Sequence, residues 1–281
     1  MNYRIIDHSL APVAGKYLGY LYDLSNRENV ESLYWCIPKA TICLTFCLSG
    51  QYYFDANGTW VPQPAVSIFG LIRKRHLLKM SPNYREITIG FYPHLFQMLT
   101  TESMSSLFQD NIIDPTIVFA RDTIDKLQDG LSESKSDAEI VRHIDAFLHN
   151  HLLNEKFDRR LFAAYDLITK SSIYRVDILS DQLNLSPSRL RDLFRSNIGL
   201  SPKEIIKLVR IKKVLGGRIT SNETLTRLAH DLGYFDQSHF IHEFQSVLDM
   251  TPKEYFKNSN LTDDFYNYSR LRLSSFAENQ R

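Results

Sequence analysis

Cysteine is scarce in this 281-residue chain, with three residues, Cys36, Cys43 and Cys47. An odd number of thiols inside strand-like apolar sequence argues against a disulfide framework and predicts reduced, buried cysteines in a cytoplasmic protein. Cys43 and Cys47 stand four apart, on one face of a strand, which leaves redox sensing as an alternative to plain packing. Long hydrophobic runs are also missing. No stretch approaches the roughly eighteen apolar residues of a membrane span. The first ten residues carry Asp7 and His8 where a secretory leader would be apolar, so no membrane association is expected. Clustered histidine is missing too: His8, His76 and His94 are isolated, without the His-x-His pair, nearby Glu and later His of a metal-dependent β-barrel enzyme. Catalytic residues, a metal site and other cofactors are therefore not expected. A net charge of one sign is lacking, at +1, but the balance is uneven. Residues 156–260 hold seventeen Lys and Arg against twelve Asp and Glu, and the remainder sixteen against twenty. Positive charge concentrated in the C-terminal part suits contact with phosphate.

What is present in that part is a repeat. Residues 179–204 and 228–254 align unit for unit: Phe194 with Phe244, Ser201-Pro202-Lys203-Glu204 with Thr251-Pro252-Lys253-Glu254, and Leu183 with Leu232 after one extra residue in the second turn. Each copy reads as a helix, a tight turn and a second helix ending before Ser/Thr-Pro. Ser186-Pro187 is an N-cap followed by proline at the first helical position. Leu190, Leu193, Phe194 and Ile198 make one buried stripe, closed by Gly199. Asp236 caps the matching helix, whose stripe is Phe240, Phe244 and Val247. Leu161, Ala164, Tyr165 and Ile168 form an opening helix, Asp177 is expected to cap the next, and a long helix from Pro202 to Leu215 joins the units before Gly216-Gly217. A helix from Thr224 to Leu232 and a last one from Pro252, anchored by Tyr255 and Phe256, complete the set.

The first hundred residues alternate as short strands. Residues 41–48 are rich in β-branched and apolar types, and Asn57-Gly58 between 51–54 and Trp60-Val61 predicts a hairpin. Residues 66–69, 75–80 and 85–91 continue the pattern of a small barrel or sandwich. Tyr34, Trp35, Tyr52, Tyr53, Phe54 and Trp60 line a ligand cavity or form an ordinary aromatic core. The period then turns helical. Ile117, Ala120, Ile124 and Leu127 are expected on one face of a helix ended by Asp129-Gly130, with a polar joint at 132–136. A second helix from Asp137 carries Ile140, Ile144, Phe147 and Leu148 on one side. These two connecting helices supply a dimer surface or pack on their own sheet. The predicted organisation is α+β: residues 1–155 as a β-domain with helical connector, 156–260 as an all-α domain, and 261–281 as a polar tail.

A helix enters the major groove when its exposed face offers donors and acceptors and its buried face is held. Exposed candidates are Ser188, Arg189, Arg191, Asp192 and Arg195 in the first unit, and Gln237, Ser238, His239, Ile241 and His242 in the second. Arginine suits guanine, Asp192 a cytosine amine, Gln237 adenine, Ile241 a thymine methyl, and His242 a base or phosphate. Lys212 and Lys213 on the joining helix are candidates for phosphate contact.

Leu228-Ala229, Leu232-Gly233-Tyr234, Asp236-Gln237-Ser238-His239-Phe240, Phe244 and Thr251-Pro252 with Tyr255 resemble the signature of the AraC/XylS family of bacterial transcription regulators. The resemblance covers roughly a hundred residues. It implies a seven-helix domain with two helix-turn-helix motifs set about one DNA turn apart. It also implies base contact at Ser188, Arg191, Asp192, Gln237, Ser238, Ile241 and His242. Asp249 stands where the family has glycine, and Gln245 where it has Lys or Arg, which removes one phosphate contact. The N-terminal part resembles, more loosely, the cupin-like domains of such regulators. Double-stranded DNA is the expected partner. A small-molecule effector, RNA polymerase and a second copy of the chain are further partners the resemblance allows, with activation favoured over repression. The alternatives are a small-molecule-binding β-barrel protein or enzyme whose helical domain no longer reads DNA, and a module whose helices bind protein.

Overall fold

The structure is a computed structural model that describes residues 2–27, 29–107, 112–152, 158–216 and 225–257. Among the described residues, ten strands form two antiparallel sheets. β1 (Asn2–Ile5), β2 (Leu18–Asn26), β9 (Tyr84–Phe91), β4 (Ile42–Ser49), β7 (Val66–Phe69) and β10 (Ile112–Ile113) lie in that order in one; β3 (Ser32–Cys36), β8 (His76–Met80), β5 (Tyr52–Ala56) and β6 (Thr59–Pro62) make the other. The sheets close on a shared core of Tyr22, Leu24, Cys47, Tyr52, Phe69, Met80 and Tyr84. The Tyr52 hydroxyl and Ser67 Oγ meet at 2.5 Å across it. The Asn-Gly turn sits where expected, between β5 and β6, with Asn57 and Gly58 both at positive φ as a two-residue hairpin demands.

Twelve α-helices are described: α1 (Ala14–Tyr17), α2 (Pro93–Phe96), α3 (Met104–Leu107), α4 (Arg121–Glu133), α5 (Asp137–His151), α6 (Arg159–Thr169), α7 (Val176–Gln182), α8 (Pro187–Ile198), α9 (Pro202–Gly216), α10 (Leu225–Asp231), α11 (Gln237–Leu248) and α12 (Pro252–Lys257). The fold is α+β, an antiparallel-sheet domain followed by a domain of seven described helices, α6 to α12.

Several local expectations are corrected. α4 starts at Arg121, so Ile117 lies in a preceding short 3-10 turn and is exposed, and Ala120 is the N-cap. Gly130 does not end α4. It is buried within the helix because a Cβ there would come within 2.7 Å of the His143 ring on α5, so the glycine permits close helix packing. α7 is preceded by Arg175, and Asp177 lies in its first turn, where its charge still favours the helix N-terminus. The aromatic set divides: Tyr34 and Tyr52 face the inter-sheet core, Trp35 lies under the Arg75 guanidinium, and Tyr53 and Trp60 cover Lys79. The boundary expected near 154–158, the Gly217 and Thr224 ends and the 261–281 tail fall wholly or largely outside the described residues.

One apolar core runs from the sheets into the helical domain, joining Ile42, Phe91, Phe96 and Met104 to Leu161, Tyr165, Phe194 and Val214. The Tyr165 hydroxyl donates to the Ala40 carbonyl at 2.5 Å. Gly199, at φ 83°, ends α8 directly against Met104, where a Cβ would lie 2.8 Å from the Met104 carbonyl oxygen. Glycine is thus required there twice, for the left-handed cap and for the approach of α3.

Candidate nucleic-acid interface

The repeat in sequence is a repeat in geometry. Ser186 caps α8 by accepting from the Arg189 N–H, and Asp236 caps α11 by accepting from the His239 N–H. Gly199 and Asp249 both end their helices in the left-handed conformation, so aspartate fills the glycine position at φ 48°. Ser201 pairs with Glu204, backbone to carboxylate at 2.8 Å and back at 3.3 Å, a capping box that starts α9. Thr251 and Glu254 reproduce it at 2.7 and 3.2 Å to start α12. The apolar stripes are buried: Leu190, Phe194 and Ile198 in α8, and Phe240, Phe244, Val247 and Leu248 in α11.

Arg210 of α9 ties the two units together. Its Nη2 donates to the carbonyl of Tyr174, which precedes α7, at 3.3 Å, and to that of Gly233, in the second turn, at 3.0 Å. Its Nη1 lies 3.8 Å from Glu243 of α11, which also accepts from the Tyr234 hydroxyl at 2.7 Å. The rings of Tyr174 and Tyr234 cover the guanidinium at 5.1 and 4.5 Å. A planar, always charged fork with five donors can bridge backbone and carboxylate in one plane, which lysine cannot.

With the buried stripes fixed, the opposite faces are presented to solvent. Ser188, Arg189, Arg191, Asp192 and Arg195 of α8 are all exposed, as are Ser238, His239 and His242 of α11. Gln237 and Ile241 differ from expectation in being half-buried. The Gln237 Oε1 accepts from the Thr226 hydroxyl at 2.8 Å, which fixes the carboxamide plane, and Ile241 packs against the core. α8 carries three arginines and α11 neither lysine nor arginine, so the two faces differ in electrostatic character.

Neither lysine expected to touch phosphate lies free on this surface. Lys213 donates to Ser172 Oγ at 2.6 Å. Lys212 is half-buried and lies within electrostatic reach of Cys43 and Lys39 of the β-domain. Lys39, half-buried, sits 4.8 Å over the Tyr20 ring, whose hydroxyl meets Cys43 Sγ at 2.7 Å. Burial pulls both ammonium groups down, and repulsion from Lys212 adds to the effect at Lys39, which is lowered to about 8. Nearby, Glu86 accepts from Tyr22 at 3.1 Å, from Thr88 at 3.3 Å and from Tyr84, while burial pushes its carboxyl up. The Cys36 and Cys47 thiols are each pushed up to about 12 by burial. Among the described residues no group of three or more His, Cys, Asp or Glu could hold a metal ion, and no helix is long and apolar enough to cross a membrane.

Two capped helix-turn-helix units on one connecting helix, each with a polar outward face, define a DNA-binding domain. Residues 179–258 match the family described as "Helix-turn-helix domain", and this part of the chain is a helix-turn-helix domain of the AraC type. Over 175 residues the chain is 22% identical to the lactose operon transcription activator of Staphylococcus xylosus, covering 54% of this chain and 62% of that protein. Over 208 residues it is 22% identical to an uncharacterized HTH-type transcriptional regulator of Haemophilus influenzae, covering 68% of this chain and 69% of the other. Among solved structures it is similar to ToxT from Vibrio cholerae, at 13% identity and a TM-score of 0.45, over 84% of this chain and 96% of that one.

Proposed function

We propose that this protein is a sequence-specific transcription regulator acting in the cytoplasm, with α8 and α11 entering successive major grooves of duplex DNA. The matched caps, stripes and exposed polar faces of the two units carry the reading. Arg189, Arg191 and Arg195 offer guanine or phosphate contacts, and Asp192 an acceptor for cytosine. Thr226 holds the Gln237 carboxamide so that its NH2 and remaining lone pair suit adenine. Ser188, Ser238, His239 and His242 complete the face, and Ile241 contributes its exposed edge. Activation, contact with RNA polymerase and pairing of two copies belong to the same reading. The direct test is binding of the full-length chain to duplexes it selects from a random pool. Arg191→Ala and Gln237→Ala should each cost about 1–3 kcal/mol and relax base choice at one position. Selected duplexes that bind no tighter than random DNA would reject the reading.

The effector reading follows from Lys39 and Lys212. We infer that two desolvated ammonium groups from different domains, Lys39 over the Tyr20 and Tyr22 rings and Lys212 within electrostatic reach of Lys39 and Cys43, make a site for a small organic anion with an apolar body. Such an anion would offset the repulsion and draw the domains together, which gives the β-domain a means of control. A thermal-shift screen of small carboxylates against the full chain and against Lys39→Ala and Lys212→Ala tests this. A carboxylate that stabilises the wild type and neither variant supports it, and equal stabilisation of all three rejects it.

A further inference from the structure

The two turns differ by one residue, and the structure shows which. Asn184 and Gly233 occupy the same positive-φ position, at 51° and 69°. Leu185 and Tyr234 follow, both turned toward the core, the first half-buried and the second 5% exposed. In the first unit the N-cap Ser186 comes next. In the second, Phe235 intervenes before the N-cap Asp236. Phe235 is 93% exposed, the only aromatic side chain among the large exposed hydrophobics of the described residues. The inserted residue is thus an unburied phenyl ring at the N-terminal shoulder of the helix offered to the groove.

We propose that Phe235 is a DNA-contacting residue that reads the edge of the second half-site, its ring resting on a deoxyribose and an adjacent thymine methyl. This rests on the reading of α11 as a groove-entering helix. When such a helix enters by its N-terminal end, the flanking strand passes the residues just before the N-cap, and phenylalanine is suited to a thymine methyl. The charge pattern favours the same occupant. α8 carries Arg189, Arg191 and Arg195, whereas α11 has neither Lys nor Arg, so its share of affinity rests more on uncharged contacts. A scattered exposed aliphatic such as Leu10 requires no partner. An aromatic inserted between two otherwise matched turns, beside Gln237, is placed where the duplex comes closest.

The test uses the full chain and the duplex it selects from a random pool, with Arg191→Ala as control for DNA reading itself. Phe235→Ala, at an exposed position, should keep the thermal midpoint and weaken the selected duplex by about tenfold. The slope of log affinity against log salt should not change, since no phosphate charge is neutralised. Replacing thymines of the second half-site by deoxyuridine should weaken the wild type in the same way and leave Phe235→Ala unaffected, while Phe235→Leu retains part of the affinity. If Arg191→Ala weakens binding and Phe235→Ala does not, the Phe235 assignment is overturned while the DNA reading stands. It is overturned equally if Phe235→Ala binds normally but loses transcription output, which would make the ring a protein contact. If neither variant changes binding, the reading of α8 and α11 fails first.

Discussion

The backbone N–H of Arg75, just before β8, donates to the carbonyl of Val247 at 3.0 Å, so the last turn of α11 is closed by a residue of the other domain. The Arg75 guanidinium lies 4.0 Å from the Trp35 ring centre and is drawn toward Asp249, while Arg73 reaches Glu204 at the start of α9 at 3.7 Å. One loop of the β-domain therefore touches both helix-turn-helix units, and α3 touches α8 at Gly199.

Removing the Arg75 side chain should loosen that contact without unfolding the protein. Arg75→Ala is expected to raise amide hydrogen exchange at residue 75 and along the end of α11, with a global stability loss below about 1 kcal/mol, as for a part-exposed cation–π contact. Unchanged exchange at both places would show that the loop does not hold α11.

Arg210 carries more. Arg210→Met leaves Glu243 buried without its cation and the Tyr174 and Gly233 carbonyls without their donor. Breaking a buried pair of this kind costs about 3–5 kcal/mol, and denaturant unfolding of the full chain should show it. Arg210→Lys should recover only part, since an ammonium cannot reproduce the fork.

His94 predicts acid sensitivity. Its ring lies among Tyr165 and Phe162 of α6 and Tyr92, at 4.4, 4.7 and 5.9 Å, and its Nδ1 has no hydrogen-bond partner among the described residues. Burial pulls its pKa down from 6.5 to about 3. The unfolded chain therefore binds the extra proton first, and stability falls as pH drops from about 6.5 toward 3. His94→Phe should flatten the His94 part of that slope in urea titrations at several pH values; an unaltered slope would assign the effect elsewhere.

Lys39 predicts the pH dependence of anion binding. Its lowered pKa, about 8, keeps the ammonium charged below that value and neutral above it in the free protein. Carboxylate affinity should be highest below pH 8 and decline above it, and binding near pH 9 should take up protons. Calorimetry in buffers of different ionisation enthalpy reads the uptake, and a flat affinity from pH 7 to 10 would exclude Lys39 as a ligand-binding group.

The chain alone determined what local rules determine. Caps at Ser186 and Asp236, the stripes beneath Phe194 and Phe244 and the Asn57-Gly58 hairpin are contained within a few neighbouring residues, so reading them requires only helix and turn periodicity. Gly130 looks like a helix end by those same rules, because the reason for it, the His143 ring, comes from another helix. Tertiary structure decided the matters that depend on distant partners. Lys212 lies within electrostatic reach of Lys39 and Cys43 of the other domain, and Arg210 bridges both units. Phe235 is left in water while Tyr234 beside it is buried. Burial and electrostatic environment are set by residues far apart in the chain, so no period or motif encodes them, and only the packing of the two domains brings them into view.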